Sequence, residues 1–165
     1  MLLKVFNESP EAALAAELRP CIDIDRWVHE IIQARPYASA EHILERARTA
    51  ADPFTAEEVA AAMAHHPRIG ERAAGSGEEA ALSRKEQRAI DPADETTAAA
   101  LARGNAAYEA KFGRVFLIRA AGRPPAEILA ALDARLHHSP AEEDLVVAEQ
   151  LREIALLRLQ GVLDP

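Results

Sequence analysis

The chain has 165 residues, 49% of them hydrophobic, a length that suits one domain able to bury about 70% of its unfolded surface without disulfide or metal staples. Lys+Arg 19 against Asp+Glu 27 gives a net charge of −8, and the basic residues are scattered rather than striped, which excludes the electrostatic footprint of a nucleic-acid binder. A small anionic substrate would need a local arginine to enter that field.

The amino terminus, MLLKVFNESPE, has too short an apolar run for a signal peptide. No later stretch approaches the roughly 18 apolar residues of a membrane span. Cys21 is the single cysteine, so an internal disulfide and thiolate metal clusters are excluded, and a buried, small hydrophobe in a reducing cytosol is expected. These features predict a cytoplasmic protein with no membrane and no nucleic-acid partner.

Alanine-rich stretches between Pro and Gly punctuation predict an all-α single domain, 1–165, built as a bundle of about eight helices. Ser9-Pro10, Asp91-Pro92 and Ser139-Pro140 each pair an N-cap oxygen with a first-turn proline, and Thr55 with Glu58 forms a capping box. Helices are therefore expected near 9–19, 23–34, 39–51, 55–65, 79–90, 92–111, 125–137 and 140–162. Two stretches break the pattern. Residues 67–78, PRIGERAAGSGE, hold three glycines and a proline and predict a loop. Residues 112–119, FGRVFLIR, pass a helix stop at Gly113 into a β-favouring run, so one short extended segment is expected near 114–119. Both leave backbone N–H and C=O groups to meet a ligand, which helices do not.

In MAHHPRIGE, 63–71, the pre-proline residue is pushed out of the α region, so the helix should stop at His66. Val59, Ala62, Met63 and His66 share one helical face, and His65 turns toward solvent. His66 is the inward candidate, either as a core or capping histidine or as a functional one. In SRKEQ, Ser83, Glu86 and Gln87 stand at i, i+3 and i+4, so a hydroxyl, a carboxyl and an amide project from one face. That face suits a site, and it equally suits an exposed helix side, with Arg84, Lys85 and Arg88 solvated.

On the last helix Arg158 lies at the centre of an arc formed by Val147, Ala148, Leu151, Ile154, Ala155 and Val162. A guanidinium there must find a carboxylate, carbonyls or a ligand, because it cannot shed its proton. Arg152, at the margin of that arc, is expected on the surface. His137 and His138 diverge on a helix and lack a ligand at metal spacing, so no metal site is expected. On the residues alone the chain reads as an all-α domain with one conspicuous histidine and one conspicuous arginine, and a helical interaction module in which His66, Glu86 and Arg158 form a buried polar network stays open.

HPRIG at 66–70, SRKEQ at 83–87, NAAYEAKFGRVFLIRAAGR at 105–123, REIALLRL at 152–159, RWV at 26–28 and RPYAS at 35–39 form an ordered set across nearly the whole chain. In this it resembles the 2-oxo-4-hydroxy-4-carboxy-5-ureidoimidazoline (OHCU) decarboxylases, which act last in converting urate to (S)-allantoin. The resemblance implies an all-helical carboxy-lyase without a cofactor, a small ureidoimidazoline as substrate and a homodimer as a possible assembly, with a cofactor-free lyase or hydrolase for another ureido or imidazole compound as the alternative. It places His66 as the catalytic histidine and Glu86 as its carboxylate partner, with Ser83, Gln87 and Arg158 contacting substrate. Pro67 and the backbone of Ile118, Arg119, Ala120 and Gly122 would line the pocket. The region before Cys21 is shorter than the family's usual pattern, and the terminal LDP carries no Ser-Lys-Leu signal.

Overall fold

The computed structural model describes residues 1–64, 66–70, 77–87 and 95–164. Among these residues there is no strand, and the chain is helical as expected. The described helices are α1 Leu3–Glu8, α2 Glu11–Leu18, α3 Asp25–Gln33, α4 Ala40–Thr49, α5 Ala56–Met63, α6 Glu78–Glu86, α7 Glu95–Phe112, α8 Pro125–Arg135 and α9 Pro140–Leu163. Residues 115–120 are open chain between α7 and α8, the place of the expected extended segment. No described helix is long and apolar enough to cross a membrane. The chain divides into two compact units, Met1–Ala62 with Arg152–Pro165, and Met63–Leu151.

In the first unit α3 shows how the sequence makes its core. Trp27, Val28, Ile31 and Ile32 are buried, at spacings that gather them on one side of a helix, while His29 is exposed and Arg26 and Glu30 are partly so. The Trp27 indole N–H donates to Ala47 O at 2.9 Å, so the ring is buried without an orphaned donor. The Thr55–Glu58 box forms as expected: Thr55 N donates to Glu58 Oε2 at 2.8 Å and Glu58 N to Thr55 Oγ1 at 3.2 Å. Arg26 then pairs with the same Glu58 through Nε and Nη2 at 2.9 and 2.8 Å, holding that carboxyl below its ordinary range. Cys21 is buried, 1% exposed.

Two expectations in this unit are corrected. The sequence reading began the first helix at Ser9, whereas α1 precedes it: Ser9 closes α1, its Oγ donating back to Val5 O at 2.7 Å, and α2 starts after Pro10 without a side-chain cap. Arg152, expected on the surface, has a side chain only 16% exposed. Its Nη1 donates to Ala47 O at 3.3 Å and Ala50 O at 2.8 Å, and its guanidinium lies 4.1 Å from the Phe54 ring centroid. Ala47 and Ala50 carry carbonyls of the last turn of α4, which have no acceptor role inside the helix, so a cation there satisfies them and the helix dipole together.

The second unit is built on the pairing of α7 with α8. Gly104 permits the approach, since a Cβ there would overlap Leu132 Cδ2 and stand 3.1 Å from its Cγ. The core holds Ile69, Leu101, Tyr108, Phe116, Ile118, Ala120, Ile128 and Leu132, with Tyr108 ring centroids 4.6 Å from Phe112 and 5.2 Å from Phe116. Ser139 caps α9 as its place before Pro140 predicts, Glu142 N donating to Ser139 Oγ at 3.3 Å, and Glu142 completes a box, its Oε2 accepting from Ser139 N at 2.8 Å.

Candidate active site

Helix α5 ends at Met63, three residues before the expected stop, and the His66 N–H donates to Met63 O at 3.1 Å. His66 and Pro67 are both half-buried. His65 lies outside the described residues, as do the Asp91-Pro92 helix start and Arg88.

The loop 66–70 is fastened at several points. Ile69 is 4% exposed and belongs to the same apolar core as Ile118 and Ala120, which brings the histidine loop and the open segment onto one core. Asn105, a buried residue of α7, donates through Nδ2 to Ile69 O at 3.0 Å. Gly70 N donates to Gln87 Oε1 at 3.0 Å, tying the loop to the end of α6. Gly70 stands at φ 86°, and a Cβ on it would lie 3.3 Å from Leu101 Cδ1, so the turn needs glycine on both backbone and packing grounds. Arg68 pairs in fork geometry with Glu109, and this hydrogen bonding holds the Glu109 carboxyl below its ordinary range.

Of the SRKEQ face, Ser83 is buried at 4% exposure, Glu86 is half-buried at the last residue of α6, and Gln87 follows as its C-cap. Arg84 and Lys85 are exposed, as the sequence predicts. Gln87 reaches the histidine loop through its side chain, and thus has a structural bond beside any ligand contact.

Beyond α7, Ile118 and Ala120 are each 4% exposed, Arg119 is half-buried, and Gly122 turns the chain at φ 78°, with Arg123 N donating to Ala120 O at 3.0 Å. Two buried side chains that the sequence reading passed over grip this stretch. Arg135 Nη1 donates to Leu117 O at 2.6 Å, and Arg119 N donates to Gln150 Oε1 at 2.9 Å. Arg135 is itself held by Glu143, which is fully buried and accepts from its Nε at 2.8 Å, and also from the Tyr108 hydroxyl. His138 Nδ1 stands 2.9 Å from the other Glu143 oxygen. Burial pushes the Glu143 carboxyl up, but the Arg135 and Tyr108 hydrogen bonds outweigh it and hold the carboxyl below its ordinary range. The Tyr108 hydroxyl is pushed up to about 12, by burial and by its bond to Glu143.

Arg158 belongs to the first unit, where it is 3% exposed and its Nη1 donates to Pro20 O at 3.0 Å. A carbonyl partner is among those expected for a guanidinium on an apolar arc. A groove of about 550 Å3 in that unit, lined by Ala12, Arg19, Arg26 and His29 among others, contains none of the expected site residues. Among the described residues no group of three His, Cys, Asp or Glu side chains could hold a metal.

The family model for OHCU decarboxylase matches residues 7–160. The chain belongs to the OHCU decarboxylase family. Members of the family are carboxy-lyases. The 2-oxo-4-hydroxy-4-carboxy-5-ureidoimidazoline decarboxylase of Haloferax volcanii is 25% identical over 134 residues, 81% of this chain and 79% of that protein. The enzyme of the same name from Amia calva is 36% identical over 100 residues, 59% of this chain and 57% of its own length. Two solved structures share the fold. An OHCU decarboxylase crystallised in the presence of (S)-allantoin superposes with a TM-score of 0.68 at 24% identity, covering 88% of this chain and 96% of its own. An (S)-allantoin synthase gives 0.68 at 18% identity, covering 99% and 55%.

Proposed function

We propose that this chain decarboxylates 2-oxo-4-hydroxy-4-carboxy-5-ureidoimidazoline to (S)-allantoin, the last step of urate degradation, with His66 and Glu86 as its catalytic pair and no cofactor. Family membership across residues 7–160 carries the reading. The bond from Gly70 N to Gln87 Oε1 supports the assignment of residues, because it ties the His66 loop to the helix end that bears Glu86.

The substrate's ring carbon bears both a hydroxyl and a carboxylate beside a C=N bond. As the C–C bond to the carboxylate breaks, its electron pair forms a C=C bond between the two ring carbons, and the imine pair moves onto nitrogen, which takes a proton. CO2 leaves. The resulting enol then surrenders its hydroxyl proton while the ureido-bearing carbon gains one, leaving the carbonyl of allantoin. The imine is thus the electron sink that a cofactor supplies elsewhere. His66, paired with Glu86, handles the proton at the hydroxyl, and one of the two delivers the other to a single face of the ureido-bearing carbon, which sets the (S) configuration.

Ser83, Gln87, Arg158, Pro67 and the backbone of Ile118, Arg119, Ala120 and Gly122 orient the ureido and ring carbonyls. Arg158 meets a carbonyl edge and not the departing carboxylate, since a tight grip on ground-state charge would raise the barrier to losing it. The same reading takes the chain to be one domain, working in the cytoplasm, with a small molecule as its ligand and a homodimer as its assembly. The direct test uses freshly generated substrate and follows CO2 release: the parent turns it over faster than spontaneous decay, and His66→Asn does not, with its helical circular dichroism intact. Near-parental turnover by that variant removes the histidine from the mechanism.

A further inference from the structure

The open segment 115–120 raises an accounting question, because it pairs with no strand and yet Phe116, Leu117, Ile118 and Ala120 are all buried. Buried backbone N–H and C=O groups are nearly always partnered. Here two of them are answered by side chains from different helices. Leu117 O accepts from Arg135 Nη1 of α8, and Arg119 N donates to Gln150 Oε1 of α9. Ile118, between them, makes no hydrogen bond with its own N–H or C=O among the described residues. In an extended chain, alternate residues turn their backbone groups to opposite edges. Groups of 117 and 119 gripped along one edge therefore leave those of 118 on the other.

We propose that Gln150, with Arg135 beside it, is a positioning residue that fixes one edge of the 117–119 backbone so that the opposite edge, the N–H and C=O of Ile118, is presented to substrate. The proposal rests on the decarboxylase reading above. Both grips come from buried side chains, Gln150 at 8% and Arg135 at 5% exposure, whose aim is set by packing. Arg135 is further locked by Glu143 and by stacking 4.6 Å from the Phe116 ring centroid. Gln150 is held more lightly. Its one side-chain hydrogen bond among the described residues is the one from Arg119 N, so among those residues its carboxamide serves this segment and no other element. A ligand bound through backbone groups depends on their placement to a fraction of an ångström, and losing the Gln150 acceptor frees the peptide unit that carries the Ile118 carbonyl, since that unit ends in Arg119 N.

Gln150→Met keeps side-chain length and volume while removing the acceptor, and Gln150→Glu keeps an acceptor oxygen at the same reach. The expected result for Gln150→Met is a fall of about five- to tenfold in kcat/KM, a rate of Arg119 amide hydrogen exchange at least about tenfold faster, and an unfolding midpoint near the parental one. Gln150→Glu should recover most of the kcat/KM. A variant that merely loosened the fold would lower the midpoint and speed exchange across α8 and α9 as well, which would overturn the positioning role. So would parental kinetics in Gln150→Met, or an unchanged Arg119 exchange rate. The parent chain is the control for the reading beneath it. If the parent does not accelerate decarboxylation, the functional reading fails and the positioning role falls with it. If the parent is active and His66→Asn is not, parental behaviour of Gln150→Met defeats the positioning role alone.

Discussion

Arg135→Met would leave the fully buried Glu143 carboxylate with Tyr108 and His138 as partners and without its guanidinium. Removing one member of a buried ion pair costs about 3–5 kcal/mol, because the survivor remains in a low-dielectric interior. The upper part of that range applies here, since Arg135 gives Glu143 two hydrogen bonds and also satisfies Leu117 O. With an unfolding entropy of about 2.1 cal/mol/K per residue for a 165-residue chain, the midpoint should fall by about 12–14 °C. The pH dependence is the sharper readout. In the parent, Glu143 is held below its ordinary range, so its contribution to stability is present above the unfolded carboxylate pKa and is lost as pH falls through the lower folded value. In Arg135→Met the unpaired carboxyl should titrate above its ordinary value, and acidification from about pH 7 to pH 5 should restore stability by neutralising it. Arg135→Met/Glu143→Met should recover part of the loss, since a buried pair replaced by apolar groups is often tolerated. Urea denaturation followed by circular dichroism at both pH values measures all three. A loss below about 1 kcal/mol, the size of an exposed pair, or no gain on acidification of the single variant, would refute the reasoning.

Gly104→Val should destabilise by about 1–3 kcal/mol through overpacking, because the new side chain meets Leu132, itself 2% exposed. The exposed Ala102→Val serves as the control in the same thermal scans and should stay within about 0.5 kcal/mol. Arg158→Lys removes a planar fork from a buried site with a carbonyl partner, and steady-state kinetics should show KM raised by about tenfold with a smaller change in kcat. An unchanged KM would take Arg158 out of substrate binding.

How far the sequence could be read depended on whether the partner was local. Thr55 with Glu58 announces its helix start because cap donor and acceptor lie three residues apart, and the box forms. Ser139 caps α9 as its place before Pro140 implies, with Glu142 as a reciprocal partner that the sequence reading did not name. Arg158 was recognisable as buried because its neighbours at helical spacing are apolar. The same periodicity carried a signal for the residues passed over: Ile128, Leu132 and Arg135 follow at i, i+4 and i+7, and Glu143, Val147 and Gln150 do likewise, all six buried. A polar residue on a buried stripe announces a need for a partner, but its partner's position is a tertiary fact. Leu117 O and Arg119 N lie 18 and 31 residues from the side chains that bind them. Arg152 was misplaced for a related reason. Periodicity ranks the faces of its own helix and carries no information about the carbonyl end of α4, which the guanidinium covers. Helix α1 went unread because no N-cap side chain marks its start, and Ser9, which seemed to open a helix, closes one.

The most direct measurement of the central claim is stereochemical. Substrate generated enzymatically in situ is mixed with the chain, and circular dichroism of the allantoin product is followed against the spontaneous reaction. Formation of (S)-allantoin ahead of racemate is the predicted result. Racemic product appearing at the uncatalysed rate would contradict the account.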